Sequence, residues 1–289
     1  MRESASPAPL TAYQTSSSVL RELQQSENFP VALRILPREV RARLVSVYDV
    51  ARVIDDLGDR AAGDREGLLL AFRSDLAEVW STGRPVSPVL QRLVPTVRGL
   101  GLTPEPFDRL VQANLQDQRV ATYESFEDLL GYCRLSADPI GRLVLAVFGA
   151  ATPRTEELSD RVCTALQLLE HWQDVAEDRA NGRVYLPQQS LREHGVDEHE
   201  LDAATTSPRL RQVLRAETAR AEQLLGSGRE LLGLLHGWAR VAVAGYVAGG
   251  QATVRALRRA DFDVLAGPPR PRRRDTALRA AFLLSGAGR

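Results

Sequence analysis

Tyr48-Asp49-Val50-Ala51-Arg52-Val53-Ile54-Asp55-Asp56-Leu57-Gly58-Asp59 decides the fold. At about 100° per residue, Tyr48, Arg52, Asp55 and Asp59 share one side of a helix, with Asp56 beside them. Carboxylates packed this closely repel one another by about 0.2–0.5 kcal/mol for each helical pair. A solvated helix would intersperse lysines or arginines among them. Here Leu44, Val45, Val47, Val50, Val53, Ile54 and Leu57 surround the acids instead, so the helix reads as buried. Buried carboxylates need partners, and a hard divalent cation with oxygen ligands is a suitable one. The alternative is an acidic helix end exposed at a loop.

A second cluster stands more than a hundred residues away, in Leu166 to Asp178, which reads LQLLEHWQDVAED. Glu170, Asp174 and Asp178 follow i, i+4, i+8 spacing and form one helical stripe, flanked by Gln167 and Glu177. The other faces carry Leu166, Leu168, Leu169, Trp172 and Val175. Two acid-bearing helices set among apolar residues can share Mg²⁺, which binds through one or two carboxylates and the phosphates of a substrate. The pair points to metal-assisted diphosphate chemistry.

Outward from these helices, every long periodic segment is helical, and no period-two alternation runs long enough for a sheet. Residues 1–18 are rich in Ser, Ala, Pro and Thr and read as a disordered tail, with a short helix expected over 18–25. Pro37 opens the first acidic helix. Asp64 caps a helix to about Trp80. Pro88 to Val97 reads as helical, and Thr103-Pro104 opens another helix to about Arg119. Ser125 caps Phe126 to Leu135. Asp138-Pro139 starts or kinks the next helix, and Asp138 reads as its N-cap. Thr155 opens a long helix ending at Asn181-Gly182. Val184-Tyr185-Leu186 is short and extended. Helices follow from Pro208 to about Leu225 and from about Glu230 to Arg259. The fold class is all-α, with eight to ten helices in one domain over 19–266.

Residues 267–289 form a basic and then apolar C-terminal tail. Such a run can dock on an anionic membrane surface, or it can be a solvated tail or a helix packed on the core. With 37 basic and 37 acidic residues the chain has no net charge, which argues against a nucleic-acid partner. No apolar run reaches the roughly 18–20 residues of a membrane span. The N-terminus lacks a secretory pattern, so the expected location is cytoplasmic, with peripheral contact at the inner membrane face. Cys133 and Cys163 read as free thiols in a reducing compartment.

Tyr48-x-x-x-Arg52-x-x-Asp55-Asp56-x-x-Asp59 and Gln173-Asp174-x-x-x-Asp178 resemble the two aspartate-rich signatures of the squalene/phytoene synthase family. Gly182-Arg183-Val184-Tyr185-Leu186-Pro187 is similar to the segment that follows the second signature. Tyr132-Cys133-x-x-Ser136-Ala137-x-Pro139-Ile140-Gly141-Arg142 resembles its central helix. Glu27 to Ala32, Leu36-Pro37, Ala248-Gly249-Gly250 and Asp263-Val264 resemble the branch that makes hydroxysqualene in bacterial hopanoid and squalene biosynthesis. The resemblance spans about residues 20–265.

It implies an all-α isoprenoid synthase fold with a central cavity. It also implies Mg²⁺ as cofactor, held by Asp55, Asp59, Asp174 and Asp178, with Glu170 where the family usually has asparagine. Arg52 and Arg183 are the implied diphosphate contacts, and Tyr48 the residue beside the leaving group. Gln167, Tyr132 and Tyr185 are implied substrate contacts, and Gln116-Asp117 and Tyr123 match a further block. Ala137 and Gly141, one turn apart, leave room for a prenyl chain or allow close helix packing. The implied reaction turns presqualene diphosphate and water into hydroxysqualene and diphosphate, without NADPH. Association with other squalene-pathway enzymes is implied too. The alternatives are a synthase joining two prenyl diphosphates, to presqualene or phytoene diphosphate, and a catalytically impaired prenyl-diphosphate-binding homologue. The sequence departs from the family at Glu170, at His171 (read as a packing residue), at Asp138, at Leu33 and at Leu115.

Overall fold

The computed structural model describes residues 36–285, so the expectations for residues 1–18, for the helix over 18–25 and for Glu27 to Leu33 fall outside it. Among the described residues, the elements are helical except for one isolated parallel bridge, Thr122 to Val184. The chain divides between Gln118 and Arg119 into two compact units.

The first unit holds α1 (Arg38–Asp59), α2 (Arg65–Ser81), α3 (Pro88–Leu100) and α4 (Glu105–Asp117). α1 packs on all three others. Val50, Ile54 and Leu57 of α1, Leu69 and Phe72 of α2, Leu90 and Leu93 of α3 and Phe107 of α4 fill its interior. Asp64 caps α2 as expected, its Oδ1 accepting from the Gly67 amide at 2.9 Å. Asp75 is buried in α2 and accepts from the amides of Val86 and Ser87 at 2.6 and 2.7 Å, which folds the entry to α3 against α2. A buried hydroxyl pair, Ser46 and Thr96 at 2.8 Å, joins α1 to α3. Gly101 ends α3 in the left-handed conformation (φ +63°), which a side chain would strain.

The second unit holds α5 (Phe126–Ser136), α6 (Asp138–Val147), α7 (Pro153–Gln173), α8 (Val175–Ala180) and α9 (Gln188–Glu193). A 3₁₀ turn over Glu198–Asp202 follows, then α10 (Pro208–Ser227), α11 (Leu231–Leu234), α12 (Gly237–Arg259) and α13 (Arg273–Leu284). α7 is the central helix, packed by α6, α10 and α12. Leu158, Val162 and Ala165 of α7 meet Leu225 of α10 and Ala244, Val247 and Ala248 of α12 in one core. Gly250 lets α12 come close: a Cβ there would lie 2.7 Å from Leu166 Cδ2. Ser125 and Thr152 cap α5 and α7 with reciprocal side-chain and backbone bonds.

Three expectations need correction. The helix opened at Thr152-Pro153 does not run to Asn181 but breaks at Asp174 (φ −103°, ψ 22°). The helix expected from Glu230 to Arg259 breaks at Leu235-His236, both extended, and restarts at Gly237 with φ +54°. Thirteen α-helices therefore stand among the described residues instead of eight to ten. α8, α9 and α11 are too short for a periodic pattern to show. Of the readings open for residues 267–289, a helix packed on the core describes α13, which packs along α12 and buries Leu283. Among the described residues, no helix is long and apolar enough to cross a membrane.

Candidate active site

In the first unit the acids end α1. The expectation of a helix buried all round does not hold: Asp55 and Asp59 lie on its accessible side, Asp56 and Arg52 are half-buried, and Val53, Ile54 and Leu57 face inward. The apolar residues flanking Asp55 occupy other faces and leave its own open. Arg52 Nε and Arg60 Nη1 each stand 3.4 Å from Asp56 Oδ1. Asn114 of α4 donates from Nδ2 to Asp55 Oδ1 at 3.2 Å, and is itself buried. Gln118 Nε2 donates to the carbonyls of Gly58 and Asn114, both at 3.0 Å. Gly58 permits this approach, since a Cβ there would lie 2.2 Å from Asn114 Oδ1. Tyr48 lies half-buried on the same helix. Gln116, Asp117 and Leu115, on the last turn of α4, are half-buried as well.

Asp55 has accessible surface but is crowded by protein. Its pKa is pushed up to about 7, first by desolvation and then by the charges of Asp59 and Asp56, against the Asn114 hydrogen bond and Arg52. A carboxylate in the unfolded chain titrates near 3.9. Between the two values the folded chain keeps a proton that the unfolded chain has released. Stability therefore falls as pH rises from about 4 to about 7, and the full penalty stands above that range. In metal-free buffer, Asp55→Asn should raise the thermal midpoint at pH 8 and leave it unchanged near pH 4. Equal shifts at both pH values would remove the Asp55 titration from the account.

In the second unit the acids straddle the break between α7 and α8. The Asp174 amide donates to the Glu170 carbonyl at 3.0 Å and the Asp178 amide to the Asp174 carbonyl at 2.8 Å, so the acids stay one turn apart despite the break. Glu170 is exposed, and Asp174 and Asp178 are half-buried. Burial raises the Asp174 pKa, helped by Asp178 and Glu177 and opposed by Arg270 and His171. Arg270 belongs to the segment after α12, which reaches the acids because Gln173 Nε2 donates to the Pro269 carbonyl.

His171 does more than fill space. It is buried, stacks on Tyr185 with ring centroids 3.7 Å apart, and stands with Nδ1 3.4 Å from Asp178 Oδ2. Gln167 Nε2 lies 3.2 Å from His171 Nε2. Asp178 Oδ2 is buried and receives no hydrogen bond among the described residues, a carboxylate oxygen still able to take a cation.

Val184-Tyr185-Leu186 is extended as expected. The Val184 amide donates to the Ala121 carbonyl at 2.8 Å and the Gln188 amide to the Tyr123 carbonyl at 2.9 Å. This carries buried Tyr185 against Tyr123 and Tyr132, with centroids 5.7 and 5.4 Å away. Arg183 Nη1 is 3.5 Å from Tyr185 Oη. His171, Asp178, Arg183 and Tyr185 line one narrow cleft, closed below by Val175 and Leu201.

Ala137 is buried at the α5–α6 junction. Gly141 serves close packing: its Cβ would lie 2.3 Å from Ser159 Oγ and 2.6 Å from Cys163 Sγ of α7. Asp138 does not cap α6, because its buried carboxylate accepts from Thr164 Oγ1 at 2.8 Å. Asp263 anchors the chain before α10, accepting from the Thr206 amide at 2.9 Å. Burial raises the pKa of both cysteine thiols, which keeps them protonated.

The sequence alone does not single out Asn114 or Arg270 as site residues, and it reads His171 as packing. For Asn114 a signal existed: it is a lone amide on a face of α4 otherwise carrying Leu110, Val111 and Ala113. Among the described residues no group of three or more acid, imidazole or thiol side chains could by itself hold a metal ion. Mg²⁺ does not require one, since it takes one or two carboxylates and fills its octahedron with water and phosphate. The oxygen donors on α1 and at the α7–α8 break fit that demand, as do the raised pKa values of Asp55 and Asp174.

The family model for squalene/phytoene synthase matches residues 23–277. A hydroxysqualene synthase of Rhodopseudomonas palustris is 34% identical over 221 residues, 75% of either chain. A presqualene diphosphate synthase of the same organism is 33% identical over 174 residues, covering 58% of this chain and 61% of that one. The crystal structure of squalene synthase HpnC from Alicyclobacillus acidocaldarius superposes with TM-score 0.78 at 38% identity, over 87% of this chain and 94% of that one. Its helices form the isoprenoid synthase fold, as these do. Both aspartate-rich signatures fall inside the matched span, and the chain belongs to the squalene/phytoene synthase family.

Proposed function

We propose that this enzyme converts presqualene diphosphate and water to hydroxysqualene and diphosphate, with Mg²⁺ and without a nicotinamide. The observation that carries the reading is the similarity to a hydroxysqualene synthase across three quarters of both chains, with both acid clusters inside the family match. In the reaction, the carbon–oxygen bond to diphosphate breaks and its electron pair leaves with the diphosphate. The cyclopropyl carbon skeleton rearranges, water adds, and one proton is released.

Asp55 and Asp59 of α1 and Asp174 and Asp178 of the second unit would hold Mg²⁺, with Glu170 as a further oxygen donor. When bound, the ion supplies Lewis-acid neutralisation of the leaving group. Arg52 and Arg183 bind diphosphate and offset the charge that builds on it. Asn114 orients Asp55, and His171 stands beside Asp178 with Nδ1 3.4 Å from Oδ2. Tyr48 sits beside the leaving group. Tyr132, Ala137, Tyr185 and Gln167 shape the substrate side, where apolar surface keeps stray water out, and Gly141 lets α6 pack closely on α7 behind them. Supply of the substrate requires an enzyme that joins two prenyl diphosphates. Association with such an enzyme, and a cytoplasmic place at the inner membrane face, belong to the same reading.

The test incubates purified protein and Mg²⁺ with presqualene diphosphate or with farnesyl diphosphate, with and without NADPH, and identifies products by mass. Hydroxysqualene from presqualene diphosphate alone is expected. Product only from two farnesyl diphosphates would favour the reading that the presqualene diphosphate synthase relative supports. Glu170 stands exposed beside the cluster. As a ligand it carries a charge that an amide would not, so Glu170→Asn should keep or raise turnover and shift the Mg²⁺ concentration for half-maximal rate. An unmoved Mg²⁺ dependence would take Glu170 out of the site.

A further inference from the structure

α13 runs antiparallel to α12. Arg259 Nη1 meets Asp275 at 2.7 Å at one end, Arg279 donates to Gln251 midway, and Arg240 Nη2 reaches the Leu284 carbonyl at 3.4 Å at the other. Leu283 is buried between them and the core. The outer side of α13 carries Leu278, 72% exposed, and Phe282, 39% exposed, one turn apart. Trp238 and Leu234 are also exposed, at the end of the pair where Arg240 meets Leu284. Scattered single apolar residues need no explanation, but Leu234, Trp238 and Phe282 toward one end of a helix pair, with Leu278 one turn before Phe282, do.

The charge on this segment is lopsided. Residues 267–285 hold Arg270, Arg272, Arg273, Arg274 and Arg279 against the single acid Asp275, in a chain of no net charge. Arg279 lies over the Phe282 ring at 5.2 Å. Burial holds Arg279 below its ordinary pKa, helped by the like charges of Arg255, one turn along α12 from Gln251, and of Arg229, just after α10. The acids nearest in sequence are engaged elsewhere. Asp275 pairs with Arg259, Glu222 with Arg258 at 2.6 Å and Glu230 with Arg154 at 2.6 Å. A segment this rich in guanidiniums, beside exposed leucine and phenylalanine, suits a ligand that is anionic at one end and apolar at the other. A phospholipid supplies both.

We propose that α13 docks the protein on an anionic lipid surface. Leu278 and Phe282 enter the interface, Arg255 and Arg279 take a headgroup phosphate, and Arg272, Arg273 and Arg274 lie over the charged surface. A single short helix of this kind binds reversibly, and the basic residues set its preference for anionic lipid. The inference does not depend on which reaction the family member runs.

The test is co-sedimentation of the full chain with vesicles of phosphatidylcholine alone and of phosphatidylcholine with about one third phosphatidylglycerol, at low and high salt. The expected result is binding to the anionic vesicles only, weakened by salt. Arg255→Gln with Arg279→Gln should weaken it about tenfold or more, as should Leu278→Ser with Phe282→Ser, with the thermal midpoint of the second pair unchanged. A further arm adds millimolar inorganic phosphate. If phosphate raises the thermal midpoint of the parent but not of the double arginine variant, and no vesicle sediments the protein, the arginines form a site for a soluble anion and the docking proposal fails. Equal binding to both vesicle types, or binding that survives both double variants, also overturns it.

Discussion

Asp55→Asn and Asp174→Asn should each lower turnover by about 10²-fold or more, the scale expected when a group that stabilises transition-state charge is removed. Asp55 lies on α1 and Asp174 at the α7–α8 break, in different units of the chain, and each carries a carboxylate whose pKa burial has raised. Such a carboxylate is ionised at the cost of desolvation and gains most from a bound cation. Both variants should stay folded, because a neutral amide at either position relieves repulsion, from Asp59 and Asp56 in one case and Asp178 and Glu177 in the other. Far-ultraviolet circular dichroism and the thermal midpoint separate loss of chemistry from loss of fold. Near-normal turnover in both variants would sink the assignment of these acids.

Trp172→Ala should cost about 3–5 kcal/mol of stability, the range for deleting a fully buried large aromatic. Trp172 has no exposed surface and stands on the last turn of α7, between His171 and Gln173. Its removal leaves a void next to His171, which stands beside Asp178, and Gln173, which holds Pro269, so the acid cluster should lose order along with the core. Against typical total stabilities of about 5–15 kcal/mol, the shift in urea midpoint is large. Trp238→Ala, at an exposed position on α12, should change stability by no more than about 0.5 kcal/mol and leave the midpoint nearly unmoved. Equal midpoints for the two variants would contradict the assignment of Trp172 to the core.

The acid-bearing helices and the short extended Val184-Tyr185-Leu186 were legible because each rests on local pattern: i, i+4 spacing in one case, β-branched and aromatic residues before a proline in the other. The orientation of α1 was not. Apolar residues around Asp55 announce that most faces of the helix are covered and do not reveal which face is open. The break at Asp174 carries no glycine or proline, and its two backbone bonds keep helical spacing, so the periodicity runs through it unmarked. The break before Gly237 was within reach, since a glycine at φ +54° interrupts an otherwise continuous pattern. Asn114 meets Asp55 across 59 positions, and Pro269 meets Gln173 across 96, separations that no local pattern reports. Gly141 and Gly250 show the opposite: both read as small residues in family-like motifs, and the structure supplies the physical reason, side chains of α7 within 3 Å of where a Cβ would stand.

The most direct test of the whole account is the origin of the product's oxygen. With presqualene diphosphate and Mg²⁺ in H₂¹⁸O, the alcohol should carry ¹⁸O, and adding NADPH should not divert it to squalene. An unlabelled alcohol, or squalene formed only when NADPH is present, would contradict it.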